Sequence, residues 1–203
     1  MRRALTAKGE ATRARIVAGA AEVLRERGVA TATLDDICLR TGTSKGQLFH
    51  YFPGGREDLL LAAARYEADR VLDDQQPHLG ALDSWDAWYR WRDVVVERYT
   101  AQGETCPLGS LFSHVGRSTP GARAIVIQLM REWQEYLATG IRSLRRQGHL
   151  PASLDVDEAA AALLAGIQGG VSIMLSTGEP THLKAALDWG LKQLRATGRP
   201  QAD

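Results

Sequence analysis

Residues 43–52 read Thr-Ser-Lys-Gly-Gln-Leu-Phe-His-Tyr-Phe, and this stretch decides the fold. Ser44 is placed to cap the backbone N–H groups of a helix opening at Lys45, and Gln47, three residues on, completes a capping box. Leu48 and Phe52 lie four apart on one face, which suits anchoring in a small core. Lys45, Gln47, His50 and Tyr51 carry hydrogen-bonding groups and point elsewhere. Upstream, Thr33 to Arg40 has the pattern of another short helix. Thr33 is its candidate N-cap, Asp36 stands where a helix N-terminus favours a carboxylate, and Leu34, Ile37 and Cys38 face inward. Thr41-Gly42-Thr43 joins the two. Earlier still, Ile16, Val17, Ala20, Val23 and Leu24 form one apolar stripe at helical spacing, and Gly28 is a natural stop. Together these are the parts of a helix-turn-helix. The same pattern also fits a plain three-helix subdomain whose polar side chains are merely solvated.

The residue types agree with a known family. Gly28, Thr33, Ile37, Gly42, Ser44-Lys45-Gly46, Leu48-Phe49-His50-Tyr51-Phe52, Glu57 and Leu59 resemble the N-terminal domain of tetracycline-repressor (TetR) family transcriptional regulators. The resemblance runs over residues 8–62 without a gap. Pro53-Gly54-Gly55 and Cys106-Pro107-Leu108-Gly109-Ser110-Leu111 resemble the LmrA/YxaF branch of that family. By this resemblance Thr33, Ser44, Lys45, Gly46, Phe49, His50 and Tyr51 occupy DNA-contacting positions, with Gly46 allowing close backbone approach. The chemistry of the side chains adds Gln47, which suits adenine, and lets Lys45 reach phosphate or a guanine edge. Three departures stand out. Phe49 replaces a frequent tyrosine, with Tyr51 as the nearest hydroxyl. Gly55 replaces a frequent lysine, with Arg56 next to it, and Cys38 replaces a frequent alanine.

Beyond residue 53 the chain reads as helix throughout. The expected segments are Gly55–Gln76, Ser84–Gly103, Leu108–Ser118, a long helix ending near Gln147, Asp155–Thr177 and Thr181–Thr197. No segment alternates as a strand does between hairpin turns. The expectation is an all-α fold of about nine helices, with a DNA-binding domain over 1–54 and a ligand-binding and dimerisation domain over 55–203. The domain boundary is mechanically shared by the Gly55–Gln76 helix.

Two further regions carry candidate contacts. Three glycines within five residues, Gly166, Gly169 and Gly170, cost about 1 kcal/mol each in a helix interior, so they call for close approach of another helix. That helix belongs either to the same chain or to a second copy. The family's four-helix-bundle dimer points to the second, with Leu163, Ile167, Gly170, Met174, Leu187 and Leu191 as the seam. Aromatic and methionine side chains on the C-terminal helices suit an apolar or aromatic inducer, with Trp88, Phe112, Met130 and Trp133 as pocket candidates. Any single one of them reads more readily as core.

Composition bounds the rest. The 203 residues carry a net charge of only +1, so basic character is local: Arg2, Arg3, Lys8, Arg13 and Arg15 face Glu10 alone in the first twenty residues. Such an arm suits phosphate contact, although a frayed, solvated terminus would look the same. Two distant cysteines make no disulfide framework, residues 1–25 lack a signal-peptide core, and no apolar run approaches the roughly 18 residues of a membrane span. A cytoplasmic home is expected. The five histidines lack metal-ligand spacing, and no nucleophile elbow, phosphate loop or dinucleotide fingerprint occurs, so neither cofactor nor metal nor enzymatic activity is expected. A Cys106–His114 nucleophile pair and a helical protein adaptor are the competing classes. The function expected is a homodimeric repressor that binds palindromic double-stranded operator DNA and releases it when a small molecule occupies the C-terminal domain. Cys106, at an expected helix start ahead of Pro107, supplies the alternative of a redox or electrophile sensor, against a plain packing role.

Overall fold

The computed structural model describes residues 5–103 and 119–198. Among these residues there are eight α-helices and no strand: α1 Ala7–Thr31, α2 Leu34–Thr41, α3 Lys45–Tyr51, α4 Arg56–Asp73, α5 Trp85–Gln102, α6 Pro120–Arg146, α7 Val156–Thr177 and α8 Thr181–Thr197, with a 3-10 turn at Leu79–Ala81. The short helix expected at Leu108–Ser118 lies outside the described residues. The chain divides into two compact units, Met1–Arg70 with Ser110–Ile127, and Val71–Gly109 with Gln128–Asp203. The divisions fall inside α4 and α6, so each of these helices contributes residues to both units.

In the first unit α1 presents Ile16, Val17, Ala20, Val23 and Leu24 to a core that also takes Ile37 of α2, Leu48 of α3, Phe52, and Leu59, Leu60, Ala63 and Ala64 of α4. Gly28 (φ 76°) breaks the regular helix, and Val29–Thr31 continue beyond the kink. Gly19 lets α1 and α2 touch, since a Cβ there would overlap Thr41. The turn is tight. Gly42 caps α2 in the left-handed conformation (φ 60°), and buried Thr41 donates its hydroxyl to the Ile37 carbonyl at 2.7 Å. Charges brace the outside: Arg40 pairs with Glu22 (3.1 Å) and Glu26 (2.5 Å), and Arg27 with Asp36 (2.7 Å). Arg25 pairs with buried Glu67, tying α1 to α4. Leu34 and Cys38, expected inside, are only half-buried; in an eight-residue helix only Ile37 and Thr41 reach the core.

The second unit is built on aromatic residues. Trp88 and Trp91 of α5 and Trp133 of α6 have no exposed surface, and the two α5 indoles meet edge to face at 5.6 Å. Leu129, Leu137, Ile141 and Leu144 continue the α6 stripe, and Gly140 on that stripe gives way to Trp88 and Leu82. Asp155 caps α7 by accepting from the Asp157 and Glu158 N–H groups at 3.0 Å. Gly178 (φ 75°) ends that helix, and α8 folds back along it. Their contact is close enough that a Cβ on Gly170 would sit 2.5 Å from the Leu183 Cα. The expectation that no segment is apolar enough to span a membrane is corrected at α7. By length and mean hydropathy (1.6) this helix does reach that range, because alanine and glycine fill the gaps between its larger residues.

Candidate nucleic-acid interface

Both helices of the turn open with reciprocal capping boxes. In α2 the Asp36 N–H donates to Thr33 Oγ1 (3.2 Å), while the Thr33 N–H and hydroxyl donate to Asp36 Oδ2 (3.0 and 2.7 Å). The Thr33 hydroxyl, then its backbone, hold the Asp36 carboxyl below the usual range. In α3 the Gln47 N–H donates to Ser44 Oγ and the Ser44 N–H donates to Gln47 Oε1, both at 3.2 Å. Each box satisfies orphan donors of a helix too short to be stable alone, so the position of α3 is set by its caps and by Leu48, its one buried residue.

The remaining α3 side chains face outward. Ser44, Lys45, Gly46, Gln47, Phe49 and His50 are exposed, as is Thr33, and Tyr51 is half-buried. The helix-turn-helix thus brings all eight expected contact residues to the surface in one short segment. Lys45 is not free there. Its ammonium lies 2.8 Å from an Asp35 carboxylate oxygen, and that hydrogen bond raises the lysine pKa. Gln47 is also partly committed, because its carbonyl serves the cap and its amide N–H₂ is what remains for a base edge. Phe49, 45% exposed, lies beside Gly55: its Cε1 is 3.1 Å from where a Cβ on Gly55 would sit, and Gly55 has φ +64°. The two departures from the family pattern therefore meet in space. His50 and Tyr51 stack edge to face at 5.0 Å. On α1, Lys8, Arg13 and Arg15 are exposed, and the Arg13 guanidinium rests 5.2 Å from the Phe52 ring centre. Arg2 and Arg3 lie outside the described residues.

The other candidate residues divide. Trp88 and Trp133 are fully buried in the second unit and Met130 is half-buried; Phe112 and Cys106 lie outside the described residues. Burial pushes the Cys38 thiol pKa up, in keeping with a packing role. Among the described residues no group of His, Cys, Asp or Glu is arranged to hold a metal ion.

The six seam residues lie on the inner side of the α7–α8 pair. Leu163, Ile167, Gly170, Met174, Leu187 and Leu191 are all buried within the single chain, and of the six Leu163 also lines the cleft on the open face. The face of α7 and α8 left open carries Ala162, Gly169, Ile173 and Trp189 instead. A cleft of about 350 Å³ lies there, lined by Leu154, Ala159, Gly166, Trp189 and Leu194 among others, and Trp189 is 64% exposed. Trp189 follows Leu187 by two positions and so stands off the buried stripe. A large aromatic off the buried stripe of a helix was the available signal.

Comparison with known proteins agrees with this geometry. Residues 16–63 match the family model "Bacterial regulatory proteins, tetR family" and residues 84–189 the model "Tetracyclin repressor-like, C-terminal domain". The chain is 32% identical over 161 residues to the HTH-type transcriptional regulator SrpR of Pseudomonas putida, covering 77% of this chain and 71% of that one. It is 23% identical over 183 residues to YxaF of Bacillus subtilis, covering 88% and 92%. A match to a Mycobacterium tuberculosis HTH-type regulator (31% identity over 105 residues) takes in 51% of this chain and spans only about half, 53%, of that relative. Among solved structures, a TetR transcriptional regulator from Chloroflexus aurantiacus superposes with a TM-score of 0.76 at 25% identity, covering 92% of this chain and 96% of that one. With two family models in sequence order, the helix-turn-helix in the first and the aromatic helices in the second, the chain belongs to the TetR family of DNA-binding transcriptional regulators.

Proposed function

We propose that the protein is a homodimeric, ligand-responsive repressor acting in the cytoplasm. Residues 1–54 bind a palindromic operator; 55–203 dimerise and take up a small apolar or aromatic inducer. The observation that carries this is α3: seven residues held by a capping box and Leu48, with every other side chain from Lys45 to His50 exposed. One such helix reads a few base pairs, and two related by a two-fold axis, about 34–36 Å apart, read a palindrome. The open face of α7 and α8, with Trp189 beside an apolar cleft, is the surface that a second copy covers in this reading, since exposed apolar patches of this kind mark interaction sites.

Release follows from coupling. α4 contributes to both compact units and is tied to α1 through Arg25 and Glu67, so a shift of α4 moves the recognition helices away from groove spacing. The inducer must favour the released geometry by several kcal/mol to empty the operator. The test is selection of DNA by the full chain from a random pool, followed by titration of the winning sequence at several salt concentrations. A palindromic consensus with an affinity that falls steeply with salt is expected. Absence of any sequence preference overturns the reading in favour of a protein-binding adaptor.

A further inference from the structure

The second unit contains three fully buried indoles, and the protein treats them unequally. Trp91 donates its Nε1–H to Gln75 Oε1 at 3.0 Å, and Gln75 is itself fixed by donating to the Val71 carbonyl at 2.8 Å. A buried glutamine is thus held in place for one indole. Trp88 Nε1 and Trp133 Nε1, by contrast, have no hydrogen-bond partner among the described residues, although neither tryptophan has exposed surface. A donor buried without an acceptor forfeits its hydration, and native proteins rarely leave one so. Two such donors in one core, beside a third that is satisfied, call for acceptors that the described residues do not supply.

Both indoles stand on or against α6. Trp88 lies against α6 at Gly140, its Cζ2 2.8 Å from the site of a Cβ there. Trp133 stands on the same stripe seven residues earlier, about 10 Å along the helix axis. The charge of a molecule supplying those acceptors is constrained. Among the described residues of this unit no acidic side chain is buried, so no buried acid awaits a cation there. The half-buried Arg92 pairs with Asp188 at 2.8 Å and lies 3.1 Å from Asp93, although its Nε, like the Gln168 amide, makes no hydrogen bond among the described residues.

We propose that the ligand of this unit is a neutral, mainly apolar molecule whose carbonyl or ether oxygens accept hydrogen bonds from the indoles of Trp88 and Trp133. The proposal rests on the ligand-responsive reading above and gives that ligand a chemical class.

Three probes of similar outline decide it: diphenylmethane without an acceptor, benzophenone with a neutral one, and diphenylmethylammonium with a charge. Binding to the whole 203-residue chain is measured by titration, and the indole N–H resonances are followed by nitrogen-15 NMR, assigned through Trp88→Phe and Trp133→Phe. Benzophenone should bind about tenfold or more tighter than diphenylmethane, the ammonium should bind worst, and the Trp88 or Trp133 indole proton should move downfield. The matching phenylalanine variant should lose that preference while keeping its affinity for diphenylmethane. Equal affinities, no binding of benzophenone, or unmoved indole resonances would overturn the proposal. So would free-protein resonances already at hydrogen-bonded positions, which would mean that trapped water holds the donors. The resonances are read in the parent protein, so the test survives a variant that fails to fold. Displacement of the selected DNA is followed in the same titrations. Benzophenone bound with the expected preference but without DNA release would remove the inducer reading and leave the acceptor chemistry. Release by both neutral probes alike would do the opposite.

Discussion

α3 and α7 solve opposite problems. The first has seven residues and buries one of them; everything else it owns is left for an outside partner, and its caps hold it in place. The second has 22 residues, buries eight within its own chain, and still has alanine, glycine and isoleucine exposed on the opposite side. A short helix needs local hydrogen bonds to stand still, whereas a long apolar one has surface left after the core is full. In the function proposed above, recognition on α3 depends on individual polar groups and association through α7 on area.

The sharpest way to break that contrast is to charge the two sides of the α7–α8 pair separately. Leu187 is 1% exposed, so Leu187→Glu buries an unpaired charge and should cost on the order of 3–5 kcal/mol, enough to unfold the second unit in a denaturant titration. A Cβ on Gly169 would meet nothing within 4 Å, so Gly169→Glu should leave the unfolding midpoint almost unchanged and yield monomers by sedimentation. Equal effects of the two variants would erase the distinction between core side and open side.

Leu48→Ala is next. With no exposed surface and no other buried residue on α3, it should lose about 2–5 kcal/mol and abolish DNA binding, measured by thermal melting and titration. Trp189→Ala should weaken the dimer by roughly 2 kcal/mol or more if Trp189 is an anchor of the kind that dominates interfaces, with the fold intact. A dimer constant unchanged in sedimentation would take Trp189 out of the interface.

The capping boxes give smaller effects. Ser44→Ala should cost about 1 kcal/mol and blunt operator affinity more than it blunts stability. The Asp36 box adds a pH signature. The carboxyl pKa is depressed below its ordinary 3.8, so its contribution is present above that value and lost as pH falls through the lower folded value. Asp36→Asn should flatten this acid limb of the stability profile. Smallest is Asp35→Asn, which frees exposed Lys45 and removes a negative charge from the DNA-facing surface. Operator affinity should rise modestly, more at low salt than at high. A fall would mean that Asp35 itself contacts a base.

The legible parts of the sequence were those governed by neighbours along the chain. Thr33 with Asp36 and Ser44 with Gln47 are three residues apart, so the Thr33 cap and the Ser44 box could be read directly, as could Gly42 at the turn and the ends of α8. The Lys45–Asp35 pair was not legible because it depends on the angle between two helices. Nor was the partition of α7: a helix apolar on all sides has no periodicity to say which side meets its own chain, and Gly169 and Gly170 look alike in sequence although one is open and the other pressed against Leu183. The unsatisfied indoles were invisible for the same reason, since Trp88, Trp91 and Trp133 differ only in which of them finds a glutamine.

Phe49 against Gly55 has a consequence for transplanting the recognition segment. The ring occupies the space a Cβ would need at a position whose φ of +64° already disfavours one. A tyrosine at position 49 has the same ring, so a chain with lysine at position 55 must hold that ring or that backbone differently from this one. The unit of exchange is therefore not α3 but the stretch from Ser44 through Gly55, and chimaeras cut at Phe52 should read DNA poorly for reasons unrelated to base contacts.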